Sequence, residues 1–352
     1  MAQTYANLWP GLVGWENLLA AYQKCRRRKR YKPEAVAFDA AWETNLLELS
    51  RDLRRGDYQP GEYRHFEVFE PKRRTISAAP FRDRVVHHAL VRVLEPIFER
   101  RFIFDSYACR KGKGTHAALH RAQHYLRRWP FYLKTDIVKF YPNVDHDILL
   151  RVLVRLIRDE RVVALIQQIV ASGAAVGVEN AQPQYFAGDD LFVALRPRGL
   201  PIGNLTSQFF ANVLLDDADH YVKELLRAPG YVRYADDMVL FAASKTQLWE
   251  HRDALASRLA EMRLKLHTGK TQVRPSQAGL KFLGFVLGRS GRRLQQSAAQ
   301  RFNRRIRRLR WLKAQRKTSP AEIGRSTRAW LAHARGANST GMRRELWRRL
   351  KF

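Results

Sequence analysis

Three aspartates set in otherwise apolar stretches are the residues best placed to do chemistry. Asp236 and Asp237 stand side by side in "YVRYADDMVLF" (231–241), and Asp136 ends the run "FYLKTD" (131–136). Val232, Tyr234, Val239, Leu240 and Phe241 are strand formers, whereas Asp is disfavoured in strands. Successive strand residues point to opposite faces, so neighbouring acids cannot act together in mid-strand. They can converge at the tight turn of a hairpin with "YVRY" and "MVLF" as its arms. Asp136, at the end of a second strand, can join them there. Such a cluster repels itself unless cations lie within it. Oxygen-only ligands suit Mg²⁺ or Mn²⁺, and two such ions about 4 Å apart are the arrangement for in-line phosphoryl transfer. An exposed turn that merely favours Asp is the competing reading.

Charge narrows the substrate. The 352 residues carry 64 Lys and Arg against 33 acids, a formal net charge of +31. Folding gains nothing from that self-repulsion, so a polyanionic partner is implied, nucleic acid first and an anionic membrane surface second. Arg predominates among the bases, as suits bidentate phosphate contacts. With only Cys25 and Cys109 there is no disulfide framework and no cysteine zinc site. The most apolar stretch, from Val162, has Gln167 and Gln168 at its centre and reads as a buried helix and loop. No membrane association and a cytoplasmic location are expected.

The elements that must position the acids follow from periodicity. Trp15, Leu18, Leu19 and Tyr22 recur at helical spacing, as in an amphipathic docking helix. A basic cluster, "KCRRRKRYK" (24–32), precedes a helical stretch through Leu53. Tyr63, His65, Phe66, Val68 and Phe69 suggest a hairpin with basic residues at its tip. A helix is expected over Phe81 to Glu99, and another after "RKGKGT" (110–115) with Thr115 as its N-cap. One helix should run from about 145 to Ser172, then a loop to Pro197. "FFANVLLDDADHYVKELL" and roughly 246–264 read as helices, and "GLKFLGFVLGRSGRRL" as a short hairpin. From 289 to 318 there are a dozen Lys and Arg and no acid, with Phe302, Ile306, Leu309 and Leu312 on one helix face. Further short helices are expected around Trp330 and Trp347. "RKGKGT" lacks the spacing of a phosphate loop. His116, His120 and His124 are spaced like metal ligands but have no acid or cysteine to complete a set.

"YADD", preceded by "LKTDIVKFYPNVDH" and "GLPIGNLTSQFFANVLL" and followed by "LHTGKTQV" and "KFLGF", resembles the motif series of reverse transcriptases from about residue 60 to 290. The resemblance implies an α+β right-hand polymerase fold with fingers, palm and a small helical thumb. Its divisions would be an N-terminal helical extension (1–55), fingers (56–130), palm (131–150), fingers and palm helices with a loop insertion (151–198), palm (199–288) and a basic thumb (289–352). It implies Asp136 and Asp236 as ligands of both catalytic metals, with Asp237 assisting and the Ile137 carbonyl contributing. Tyr141 would be the aromatic gate that rejects a 2′-hydroxyl. Lys72 and Arg74 would hold the triphosphate, and Lys270 would protonate the leaving pyrophosphate. Phe282, Leu283 and Gly284 would form the primer grip, while Arg110, Lys111, Arg304, Arg305 and Arg308 would touch nucleic-acid backbone.

The Gly-Ser motif suggests the subclass. Most reverse transcriptases carry Gln before the Gly and Pro after the Ser. Here Ile202 precedes Gly203 and Gln208 follows Ser207. That form resembles the diversity-generating retroelement enzymes, as do "WENLLAAY", "YACRKGKGTHAAL" and "RAWLAHARGANSTGM". It implies copying of a template-repeat RNA, from a primer and deoxynucleoside triphosphates, into cDNA with errors at adenines, alongside a small basic helical accessory protein that forms a pentamer. A prokaryotic defence-type, retron-like or group II intron-like enzyme making another cDNA is the alternative. Intact Asp136, Asp236 and Asp237 argue against a non-catalytic RNA-binding protein.

Overall fold

Apolar alternation on separate stretches of the chain builds one antiparallel sheet, and that sheet sets where the acids lie. The computed structural model describes residues 3–69, 73–174, 184–341, 343 and 344. Helices α1 (Trp9–Val13), α2 (Trp15–Arg26), α3 (Pro33–Asp39) and α4 (Trp42–Arg55) open the chain, followed by the antiparallel hairpin β1 (Arg64–Val68) and β2 (Arg74–Ala78). Next come α5 (Phe81–Glu99), α6 (Thr115–Arg128), β3 (Phe131–Asp136), α7 (Phe140–Asn143), α8 (His146–Val154), α9 (Glu160–Ala171) and α10 (Leu205–His220). The chain continues through β4 (Gly230–Tyr234), β5 (Asp237–Ala242), α11 (Lys245–Glu261) and β6 (Gln272–Pro275). It closes with β7 (Leu280–Phe282), β8 (Phe285–Leu287), β9 (Arg292–Leu294), α12 (Gln296–Ala314) and α13 (Pro320–Ala334). The fold is α+β, with antiparallel sheets ordered β1-β2, β4-β5-β3-β6 and β7-β8-β9.

The period of two puts alternate residues of the central sheet into different cores. Leu133, Tyr231, Met238 and Leu240 face a large core shared with α2, α4, α5 and α8 to α10. Tyr132, Val232, Val239 and Phe241 face the other way, against Leu119 and Tyr125 of α6 and Phe282, Phe285 and Leu287 of the last sheet. A fully buried side chain of this size contributes about 1.5–3 kcal/mol, so both faces hold the sheet rigidly. The expected apolar stripe of α2 buries Leu18 and Tyr22 in the larger core, with Tyr22 stacked on Trp42 at 5.8 Å, while Trp15 remains 39% exposed.

Four local expectations are corrected. The single helix to Ser172 is two, because Asp145 and Asp159 each cap a new start by accepting from Ile148 N and Val162 N. Thr115 is not an N-cap: Gly114 holds that place at φ 109°, and the Thr115 hydroxyl bonds the Tyr234 hydroxyl at 3.1 Å. The last hairpin gains a third strand, β9, paired to β8. Phe302, Ile306 and Leu309 do face one core, closed by Trp330 and Leu331 of α13, whereas Leu312 stays outside it. The helix expected around Trp347 lies outside the described residues. No helix among the described residues is long and apolar enough to cross a membrane.

Candidate active site

β4 and β5 pair with Tyr234 opposite Asp237, which leaves Ala235 and Asp236 as the turn. Ala235 takes a left-handed φ of 55° to close it. Asp237 is the first residue of β5, and its partner on β3 is Asp136. Three carboxylates therefore share one end of the sheet, as the sequence predicts. Ile137 follows Asp136 and pairs with Leu266.

Burial, with the charge of Asp136 adding, raises the Asp236 carboxyl to about 7. Burial also raises Asp237, against the pull of Lys134, whose Nζ lies 3.7 Å from Asp237 Oδ1. Lys270 Nζ donates to Asp136 Oδ2. Cations of the protein thus stand among the acids, and no three His, Cys, Asp or Glu side chains among the described residues form a ready metal cage. The donor chemistry still fits a hard divalent cation: the buried Asp136 stands beside the half-buried Asp236 and Asp237, both raised mainly by burial, and such an ion would stabilise their charged forms.

The Gly-Ser segment is docked on the β1–β2 hairpin. Ser77 N donates to Ile202 O at 2.9 Å, and Asn204 Nδ2 to Ser77 O at 3.0 Å. Gly203 has φ 118°, and a Cβ there would meet Ile76 Cγ2 at 2.7 Å, so only glycine fits. Ile202, in the turn before α10, and Gln208, in the first turn of that helix, are half-buried. Tyr141 is tied to the start of this segment, its carbonyl accepting from Leu200 N at 2.9 Å. Burial pushes its phenol up, Cys109 and Asp236 add to that, and Arg233 and Arg74 oppose it. Arg74 is exposed at the start of β2. Lys72 lies outside the described residues.

A family model described as "Reverse transcriptase (RNA-dependent DNA polymerase)" matches residues 69–287. The chain belongs to the reverse transcriptase family. By that membership it is an RNA-directed DNA polymerase. It is 26% identical over 285 residues to Protein YkfC of Escherichia coli (strain K12), covering 68% of this chain and 71% of that one. It is 28% identical to Nuclear intron maturase 2, mitochondrial, of Arabidopsis thaliana (48% and 25% covered). With the Group II intron-encoded protein LtrA of Lactococcus lactis subsp. cremoris identity is 23% (63% and 36% covered). The matches thus span only about a quarter to a third of those two longer relatives. Apo telomerase from Candida Tropicalis, truncated from its C-terminal domain, aligns at a TM-score of 0.49 and 13% identity over 71% of this chain and 60% of that one.

In this reverse transcriptase the expected primer-grip residues form the β7–β8 turn. Leu283 and Gly284 both take left-handed φ, 48° and 85°, between the paired Phe282 and Phe285. His333 of α13, which sequence reasoning missed, lies over that turn: a Cβ on Gly284 would be 3.4 Å from its Nε2. Arg304, Arg305 and Arg308 are exposed on α12, away from the Phe302–Ile306 face, and Lys111 is exposed as well. Arg110 is a correction. Its side chain is 5% exposed, forked onto Glu99 at 2.7–3.1 Å and donating to Ile103 O and Ser106 O, so it ties the chain to α5 instead of standing exposed to a nucleic-acid backbone. Also missed was Arg233, buried directly behind the acids.

Proposed function

We propose that this reverse transcriptase copies a template-repeat RNA into adenine-mutagenised cDNA for a diversity-generating retroelement. The observation that carries the chemistry is the pairing of Asp136 with Asp237 beside the Asp236 turn, at the open end of the sheet. Asp136, Asp236, Asp237 and the Ile137 carbonyl would hold two Mg²⁺ ions, with Mn²⁺ as substitute, to activate the primer 3′-hydroxyl and offset the triphosphate charge.

The chain's own residues do the rest. Lys72 and Arg74 grip the triphosphate, where added positive charge stabilises the phosphoryl group in flight. Tyr141 packs beneath the sugar and leaves no space for a 2′-hydroxyl. Lys270 gives a proton to the departing pyrophosphate. Phe282, Leu283 and Gly284 hold the primer end, with fingers (56–130), palm (131–150 and 199–288) and thumb (289–352) closing on the duplex.

The subclass rests on Ile202 and Gln208. Gln in place of Ile202 could hold the incoming nucleotide through its amide, whereas a branched alkyl chain makes shape contacts alone. A small basic pentameric accessory protein would be its partner. The group II intron protein and the intron maturases among its relatives favour a second reading, an intron-type enzyme.

Primer extension on an RNA template tests both levels. Asp136→Ala and Asp236→Ala should each abolish synthesis while RNA binding persists; near wild-type extension by either sinks the site. Sequencing the wild-type cDNA decides the subclass, since accurate copying of adenines is incompatible with the first reading.

A further inference from the structure

Arg233 is the largest fully buried side chain among the described residues, at 0% exposure. A guanidinium so placed needs every N–H matched and its charge compensated. Nε and Nη2 fork onto Asp219 of α10, with contacts of 2.6–2.9 Å, and Asp219 also accepts from the Tyr231 hydroxyl at 2.8 Å. Nη1 remains. It donates to Asn212 Oδ1 at 3.0 Å and to the carbonyl of Ala235 at 3.2 Å.

Ala235 is the left-handed residue of the turn that carries Asp236. A non-glycine residue holds such a φ only where its surroundings fix it. The main chain of Arg233 is fixed too: its N–H donates to Asp105 O at 2.9 Å, and its carbonyl accepts from Tyr107 N at 3.0 Å. Strand β4 is thereby sealed by the 105–107 segment, and the side chain runs from α10 to the back of the turn. With Asp219 beside it, Arg233 brings no net charge to the acids. What it supplies is placement.

We propose that Arg233 is a positioning residue for DNA synthesis, setting the Asp236 carboxylate through the Ala235 carbonyl and anchored by Asp219 and Asn212. This rests on the reading of Asp136 and Asp236 as the reacting site. Misplacement of a reacting group by about 1 Å costs on the order of 100-fold in rate, so the loss should fall on kcat and spare substrate binding.

Arg233→Lys keeps a cation against Asp219, but a single ammonium cannot also fork to Ala235. In single-nucleotide incorporation we expect kcat to fall about tenfold or more, with KM for the nucleotide and Kd for primer–template within about threefold. Hydrogen exchange of the 234–238 amides should accelerate in the same variant. Tyr231→Phe is the control: it removes one bond from Asp219 and leaves the turn contact, so Tm falls and kcat stays within about twofold. A kcat for Arg233→Lys within twofold of wild type, or a loss matched by Tyr231→Phe, overturns the proposal. Should Arg233→Lys not fold, Arg233→Met with Asp219→Leu removes both buried charges together and is judged by the same criteria. A wild-type protein that extends no primer refutes the reading beneath, and turn exchange then decides this inference alone.

Discussion

Lys270 closes on Asp136 from 134 residues away in sequence, so the acid that ends β3 is already held by a cation of the protein itself. The contact puts an ammonium beside a carboxylate proposed to hold the catalytic metals, and in the proposed mechanism that ammonium protonates the departing pyrophosphate. Lys270→Ala should lower the single-nucleotide incorporation rate about 100-fold, the scale of a lost general acid, with primer–template affinity unchanged. Quench-flow measurement checks this, and an undiminished rate removes Lys270 from the chemistry.

Fidelity should turn on Ile202. Its carbonyl is already committed to Ser77 N, so the side chain is free to change without moving the hairpin. Ile202→Gln adds a hydrogen bond to a correctly placed nucleotide, worth about 1 kcal/mol, and errors opposite adenine should fall several-fold while synthesis continues. Deep sequencing of cDNA made by both proteins on one template is the check; equal error spectra refute it.

The two classes of arginine should separate experimentally. Changing Arg304, Arg305 and Arg308 together to Gln should weaken RNA binding across unrelated sequences. It should also flatten log Kd against log salt by about 0.7 for each single-strand phosphate that is no longer neutralised. Arg110→Ala should leave that slope unchanged and destabilise the fold by about 2 kcal/mol, the scale of hydrogen bonds to a charged group. Filter binding over a salt series and thermal melts tell the two apart.

Stability should also depend on pH through His87. It is 2% exposed on α5, and burial, with His88 and Arg84 adding, pushes its imidazole down to about 3. Since the unfolded chain binds that proton near pH 6.5, His87 destabilises the fold increasingly as pH falls below that value. The cost reaches about 2 kcal/mol at pH 5. Denaturant melts at pH 7 and pH 5 should show a larger loss for wild type than for His87→Phe. An equal loss contradicts the assignment.

Much of this arrangement was legible in the residues. Asp236 and Asp237 interrupt apolar runs that only a strand explains, and the turn between the arms needed no long-range information. Leu283 and Gly284 between two phenylalanines likewise announce a tight turn. Arg233 and Arg110 were not legible, for a shared reason. In a chain of net charge +31 an arginine reads as surface charge. Only tertiary structure brings Asp219 to Arg233, from a helix 14 residues earlier, and Glu99 to Arg110. His333 escaped notice because its neighbours Gly284, Phe285 and His116 come from other elements. The division of the 145–172 helix was missed because capping aspartates resemble any other acid.

Among the described residues the C-terminal helices have the smallest core, built on Phe302 stacked over Trp330 at 4.1 Å. So little buried surface opens and recloses far more readily than the body around the sheet. α13 also rests His333 on the Leu283–Gly284 turn, so each opening loosens the loop assigned to the primer end. If that loop holds the primer end as proposed, the length of cDNA made before the enzyme lets go should depend on the Phe302–Trp330 pair. Processivity and catalytic rate should then be separately adjustable, the first at Phe302 and Trp330, the second at the proposed catalytic aspartates.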